Sequence, residues 1–397
     1  YVYRNAVLHF KIIILYYNSL LRRICRVDAR KFSNALNVHE IQEEQLPLFR
    51  TADHNPVDHV KSHLNKFYTI PLETYKHLYQ NSLPKEFKKQ VETFAECSIL
   101  IREPAVEIIS CLEQTDYTRP VNKYVLYGKF GAGKTITMMH LLHYAFMKKF
   151  MLIHIPWAND WFRFPKEVAN SPLVPDMLDL PVDAGIWLRY FKNQNLHLLT
   201  SLDLRVTKDY TWNERDSTSQ GAPLSELIDF GINRIKYACG VINALIDELK
   251  AASTAGKVKT FVSIDGYNIF TTDITLIRND KKEYVPPTQL SLTTAFLKST
   301  ESNWCNGAVL LSVDARVMKK RRESDLPRYL LGKEGFDHLD PFIPVGVENY
   351  TVDEFNTVME YYKNRQWIRN ISPEGEKEVE AICNRNPFYF MEYCKPL

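Results

Sequence analysis

Gly128-Lys129-Phe130-Gly131-Ala132-Gly133-Lys134-Thr135 fits G-x-x-x-x-G-K-[ST] at every fixed position. Glycines at these places let the backbone curl until successive N–H groups converge on phosphate oxygens. A helix opening at Lys134 adds its positive N-terminal end to the same point. Lys134 brings a point charge to the terminal phosphates, and the Thr135 hydroxyl is placed to ligate Mg²⁺. The candidate nucleotide-binding residues are therefore Gly128, Gly131, Ala132, Gly133, Lys134, Thr135 and Ile136.

The flanks supply the context this motif needs. Tyr124 to Tyr127 reads as an apolar strand, and a helix follows from Lys134 to about Lys148, apolar nearly all round and so expected to be buried. Phe150 to Ile155 is a second strand, stopped at Pro156. A third, Thr260 to Ile264, runs into Asp265, the acid expected to hold Mg²⁺ beside Thr135. Ala308 to Val313 is a fourth strand and Phe342 to Val347 a fifth. Ser312 and Asp314 fall where a polar sensor of the terminal phosphate would sit. Strands alternating with helices predict an α/β fold, a mostly parallel sheet with helices on both faces.

Outside this frame the signals vary in strength. Residues 33–81 are mixed and polar and read as an N-terminal arm, while Ser82 to Gln114 has helical spacing. Residues 156–223 form an aromatic, proline-rich insertion with no register, longer than a crossover needs. From Pro223 apolar residues repeat at threes and fours as far as Leu249. Thr351 and Glu354 form a capping box, and Ser372-Pro373 opens another helix. The expected division is a nucleotide-binding domain over 82–348 and a small helical domain over 349–397.

The 397 residues are 45% hydrophobic and 24% charged, which excludes a disordered or low-complexity chain. Seven scattered cysteines form no C-x-x-C pair and indicate neither a zinc site nor a disulfide framework. The net charge of +3 is uneven. Residues 1–32 hold seven basic side chains and only Asp28 as an acid, leaving the remainder at −3. An Arg-rich, acid-poor, apolar start is the composition of a mitochondrial presequence, with a peptidase site expected between Phe32 and Ser33 and a signal anchor as the alternative. The apolar run from Val7 to Leu21 falls short of the ~20 residues that span a bilayer, and no membrane association is expected.

Two absences bear on chemistry. A Glu after Asp265 is suited to act as base toward the attacking water, but Gly266 stands there. Glu301, Asp314 and Glu334 are the acids open to replace it, and a Glu at 266 is the obvious substitution to restore turnover. The N-K-x-D or T-K-x-D signature for guanine is missing: Asn65-Lys66 and Asn122-Lys123 lack the Asp, and Thr207-Lys208-Asp209 has it one place early. One dense basic run, Lys319-Lys320-Arg321-Arg322, reads first as a solvated loop, with a limited contact to RNA phosphates as the alternative.

Four stretches resemble one family, death-associated protein three, the nucleotide-binding protein of the mitochondrial small ribosomal subunit. They are Tyr127 through Thr135, His154-Ile155-Pro156, Val262 through Asn268, and Leu330 through Asp337 with Leu339 through Pro344. The resemblance runs from about residue 70 to the C-terminus. It implies an AAA-like P-loop fold, residence among the proteins of the small-subunit head, GTP or GDP as ligand with ATP open, and, in animal members, a link to apoptosis. Carried over by position, it puts phosphate on Gly131, Gly133, Lys134 and Thr135, and Mg²⁺ on Thr135 and Asp265.

Two functions are then expected to compete. One is a structural ribosomal protein that holds a nucleotide and turns it over very slowly. The other is a working ATPase or GTPase that switches ribosome assembly or cell death.

Overall fold

A computed structural model of the chain describes residues 47–79, 82–272, 275–318 and 323–395. The expected presequence, residues 33–46 of the arm, and the basic run Lys319–Arg322 lie outside the described residues. In chain order, strand β1 (Phe67–Ile70) and helices α1 (Leu72–Tyr79) and α2 (Lys85–Phe94) lead to β2 (Cys97–Leu100) and α3 (Glu103–Glu113). The loop strand β3 (Asn122–Tyr127), α4 (Lys134–Met147) and β4 (Met151–Ile155) follow. Helices α5 (Pro181–Gln194), α6 (Leu224–Asn233) and α7 (Ala238–Thr254) precede β5 (Thr260–Ile264), α8 (Ser291–Ser299) and β6 (Gly307–Ser312). The chain closes with α9 (Pro327–Leu339), β7 (Ile343–Gly346), α10 (Val352–Asn364), α11 (Pro373–Cys383) and α12 (Pro387–Cys394).

The central sheet has five strands in the order β7-β3-β6-β5-β4. Every pairing is parallel, with Val125 opposite Leu311 and Val309 opposite Val262. Its strands are apolar throughout because both faces are covered. Alternation sorts the side chains: Val125, Ile153, Val262 and Val309 join the core beneath α5 to α8, whereas Leu126, Leu152, Phe261 and Leu310 join the core beneath α3 and α4. A third cluster sets Phe67, Phe94 and Leu100 against Phe355, Val358 and Tyr362 of the C-terminal helices. This is the α/β architecture of a P-loop NTPase, with β3 and its loop one strand in from the β7 edge and flanked by β7 and β6.

Ten of the fourteen residues of α4 are buried, as its all-round apolar character predicts. Three expectations are corrected. The helical spacing over 82–114 conceals β2, which pairs antiparallel with β1, so part of the predicted arm is built into the fold. The helix predicted over 224–249 breaks at Arg234 and folds back, and Gly231 lets Leu188 and Val241 approach. The irregular insertion contains the fourteen-residue α5, whose Trp187 and Phe191 are buried in the core. Among the described residues no helix is long and apolar enough to cross a membrane.

Candidate functional site

The strand β3 delivers the chain to Gly128 at the C-terminal edge of the sheet. Gly128, Gly131 and Gly133 all take positive φ. At Gly128 the requirement is absolute: φ is +138°, and a Cβ would lie 2.2 Å from the Val347 carbonyl oxygen. The loop therefore curls tightly between β3 and the start of α4, packed so closely on Val347, Asn386 and Phe388 that side chains at Gly128 and Gly131 have no space.

Lys134 is 5% exposed. Its Nζ donates to the Gly128 and Lys129 carbonyls at 2.7 and 3.1 Å and lies 3.3 Å from Asp314 Oδ2. The Thr135 hydroxyl donates to Asp265 Oδ2 at 2.6 Å, and the Ser312 hydroxyl donates to Asp265 Oδ1. The Gly266 N–H donates to Ser312 Oγ at 3.0 Å. Ser312 thus orients Asp265 instead of facing a phosphate. Burial pushes the Asp265 carboxyl above its ordinary pKa, with the two hydroxyl bonds acting the other way. Burial also acts to raise Asp314, but the Arg316 hydrogen bonds and the Lys134 charge outweigh it and hold that carboxyl below its usual range. A cation, two carboxylates and a hydroxyl converge within one curl of backbone, a donor set that fits a phosphate chain with Mg²⁺.

The curl opens into a cleft of about 1170 Å³. Gly131, Gly133, Lys134, Thr135, Ile136 and Asp265 line it, while Gly128 and Ala132 shape the loop behind. One wing runs past Leu100, Tyr350, Val358 and Met391, the other past Pro156, Trp157, Trp161 and Tyr190. The volume accommodates a nucleotide-sized ligand. Of the three acids proposed to replace a base at 266, Asp314 alone lines the cleft, and Glu301 is paired with Lys250 at 2.8 Å.

Three further residues of this site are not singled out by the sequence reading. The buried Arg102, just after β2, donates from Nη1 to the Ala132 carbonyl at 2.7 Å. Asn386 Nδ2, at the start of α12, donates to the Phe130 carbonyl at 2.9 Å. Arg316 lies over the rings of Phe130 and Trp157, 4.5 and 4.7 Å from their centroids. Asn386 before Pro387 is an N-cap followed by a proline at the first helical position, so it alone was open to detection.

Comparison with known proteins places this geometry in a lineage. Residues 99–392 match the model of the mitochondrial ribosomal death-associated protein 3 family. The small ribosomal subunit protein mS29 of Bos taurus is 34% identical over 391 residues, covering 94% of this chain and 98% of its own length. Its Mus musculus counterpart is 33% identical over 388 residues, covering 95% and 98%. Among solved structures, a Walker-type ATPase of Pyrococcus abyssi aligns at a TM-score of 0.37 and 10% identity, over 73% of this chain and 65% of that one. Matched by the family model over most of its length and by full-length relatives at a third identity, the chain belongs to the mitochondrial ribosomal death-associated protein 3 family.

Proposed function

We propose that this protein is a component of the small subunit of the mitochondrial ribosome that holds a purine nucleotide with Mg²⁺ in its P-loop. The observation that carries the nucleotide is the convergence of Lys134, Thr135 and Asp265 on a loop with no room for side chains. Lys134 and the loop amides take the terminal phosphates, while Thr135 and Asp265 hold the metal. GTP or GDP follows from the family and ATP fits the same phosphate chemistry. The ribosomal and mitochondrial assignment is supported by relatives named as small ribosomal subunit proteins. A balance of −3 beyond residue 32 favours a peripheral place among other ribosomal proteins, with limited RNA contact.

Hydrolysis is slow in this reading. Position 266 carries no base, and Asp314, held ionised by Arg316 and Lys134, is a weak proton acceptor. Titration of the full chain with Mg²⁺ and GTP, GDP or ATP tests the site. The wild type should bind and Lys134→Ala should not, since a charge-assisted contact is worth ~1.5–3 kcal/mol. Equal binding by both proteins means the loop is not the site. Sedimentation of mitochondrial extract tests the assembly: co-migration with the small subunit supports it, and a free pool alone rejects it.

A further inference from the structure

Arg316 lies in a turn of 3₁₀-helix, Ala315–Val317, just beyond the end of β6. Its Nε and Nη2 donate to the two oxygens of Asp314 at 2.9 and 3.2 Å. Its carbonyl accepts from Arg163 Nη2 at 2.7 Å, which fixes the turn from below. The guanidinium lies over the rings of Phe130 of the loop and Trp157 after β4, 4.5 and 4.7 Å from their centroids. These aromatic contacts hold the guanidinium in place while its N–H groups remain for hydrogen bonding. Nε and Nη2 are spent on Asp314. Nη1 makes no hydrogen bond among the described residues, and the side chain borders the cleft with 49% exposure.

The charges explain why such a residue is needed. Asp314 Oδ2 sits 3.3 Å from Lys134 Nζ, so a carboxylate stands beside the cation meant for the terminal phosphate. Left alone, Asp314 repels the last phosphate of a triphosphate and cancels part of Lys134. Arg316 neutralises it with two bonds and keeps one donor group aimed past it. Gly266 belongs to the same arrangement. A Cβ there would lie 2.9 Å from Trp157 Cζ3, so the glycine makes space for the ring that stacks on Arg316.

We propose that Arg316 is the specificity-determining residue with which this chain distinguishes a nucleoside triphosphate from a diphosphate. The inference rests on the nucleotide reading of the loop. Arg316 shares Asp314 with Lys134, the cation for the terminal phosphate, so its free Nη1 serves that phosphate in a triphosphate and has no partner to gain from a diphosphate.

The test compares full-length wild type, Arg316→Gln and Arg316→Lys in titrations with GMPPNP, AMPPNP, GDP and ADP, each with Mg²⁺. Arg316→Gln should weaken the triphosphate analogue that the wild type binds by about tenfold to a hundredfold, and the matching diphosphate by less than twofold. Arg316→Lys should fall between, keeping the charge but losing the planar guanidinium's contacts with Phe130 and Trp157. Thermal melting without nucleotide checks that both variants fold; if the Gln variant does not, the Lys variant carries the comparison. Equal loss for di- and triphosphate, or no loss, overturns the role of Arg316 and leaves the loop assignment standing. Wild-type protein that binds no nucleotide overturns the loop assignment itself.

Discussion

Arg102 and Glu354, on opposite sides of the P-loop in sequence, meet in a buried bidentate pair. Nε reaches Oε1 at 2.8 Å and Nη2 reaches Oε2 at 3.1 Å. The same Glu354 carboxylate accepts from the Thr351 N–H at 2.9 Å and so closes the capping box of α10. Through the Arg102 bond to the Ala132 carbonyl, the cap of a C-terminal helix and the phosphate loop share one side chain. Removing one partner leaves the other buried and unpaired. Arg102→Ala should therefore destabilise the protein by about 3–5 kcal/mol in urea unfolding. Glu354→Gln, which keeps the cap, should cost clearly less.

Asp265 gives a metal prediction. Asp265→Asn should abolish the gain in nucleotide affinity on adding Mg²⁺ while preserving binding in EDTA. A metal ligand must be deprotonated, and burial raises this carboxyl. In the wild type the Mg²⁺ effect should thus fade at a higher pH than for an exposed aspartate as acid is added. A pH-independent Mg²⁺ effect down to the ordinary carboxylate range speaks against Asp265 as ligand.

Histidines set the acid limit. Burial lowers His143 and His154 from 6.5 to about 4, and lowers His59 and His140 as well. His59 Nδ1 and His140 Nε2 are 2.8 Å apart, a contact that requires a neutral partner. Since the folded pKa values lie below the unfolded ones, the unfolded chain binds more protons as pH falls below 6.5. Stability should be complete above about pH 6.5 and drain away toward pH 4, by on the order of 3 kcal/mol for each of His143 and His154. Urea midpoints between pH 7.5 and 4.5 check this, and a flat profile contradicts it.

Gly266→Glu should not create a faster enzyme. Position 266 has φ +72°, and a side chain there meets the Trp157 ring. The variant should lose roughly 1–3 kcal/mol of stability through overpacking. Its phosphate release should stay, like that of the wild type, below about one per second, the low end of ordinary turnover. Faster release by the purified wild type favours the switch over the structural role.

What the sequence discloses and what it hides divide along physical lines. The strands β3 to β6 are buried on both faces, so continuous apolar runs mark them, and the loop is fixed by glycines that nothing else can replace. Asp265 was legible because it ends such a strand. Cys97–Leu100 was not, since a four-residue run with three apolar side chains next to helical ones fits either period. The break at Arg234 has no proline or glycine of its own, and apolar spacing continues through it into α7. Arg102 and Arg316 look like any surface arginine until tertiary packing brings Ala132, Glu354, Phe130 and Trp157 to them. Side chains that act through distant partners leave no local pattern.

The end of the chain has a meaning that its position disguises. The Phe388 N–H donates to the Gly131 carbonyl at 3.1 Å, Asn386 holds the Phe130 carbonyl, and the Phe388 ring lies 4.9 Å from that of Phe130. A premature stop after Arg385 removes Asn386 and Phe388 and so strips two hydrogen-bond donors from the carbonyls of the phosphate loop. Alleles truncated there belong genetically with Lys134 and Gly128 substitutions, not with harmless losses of a tail.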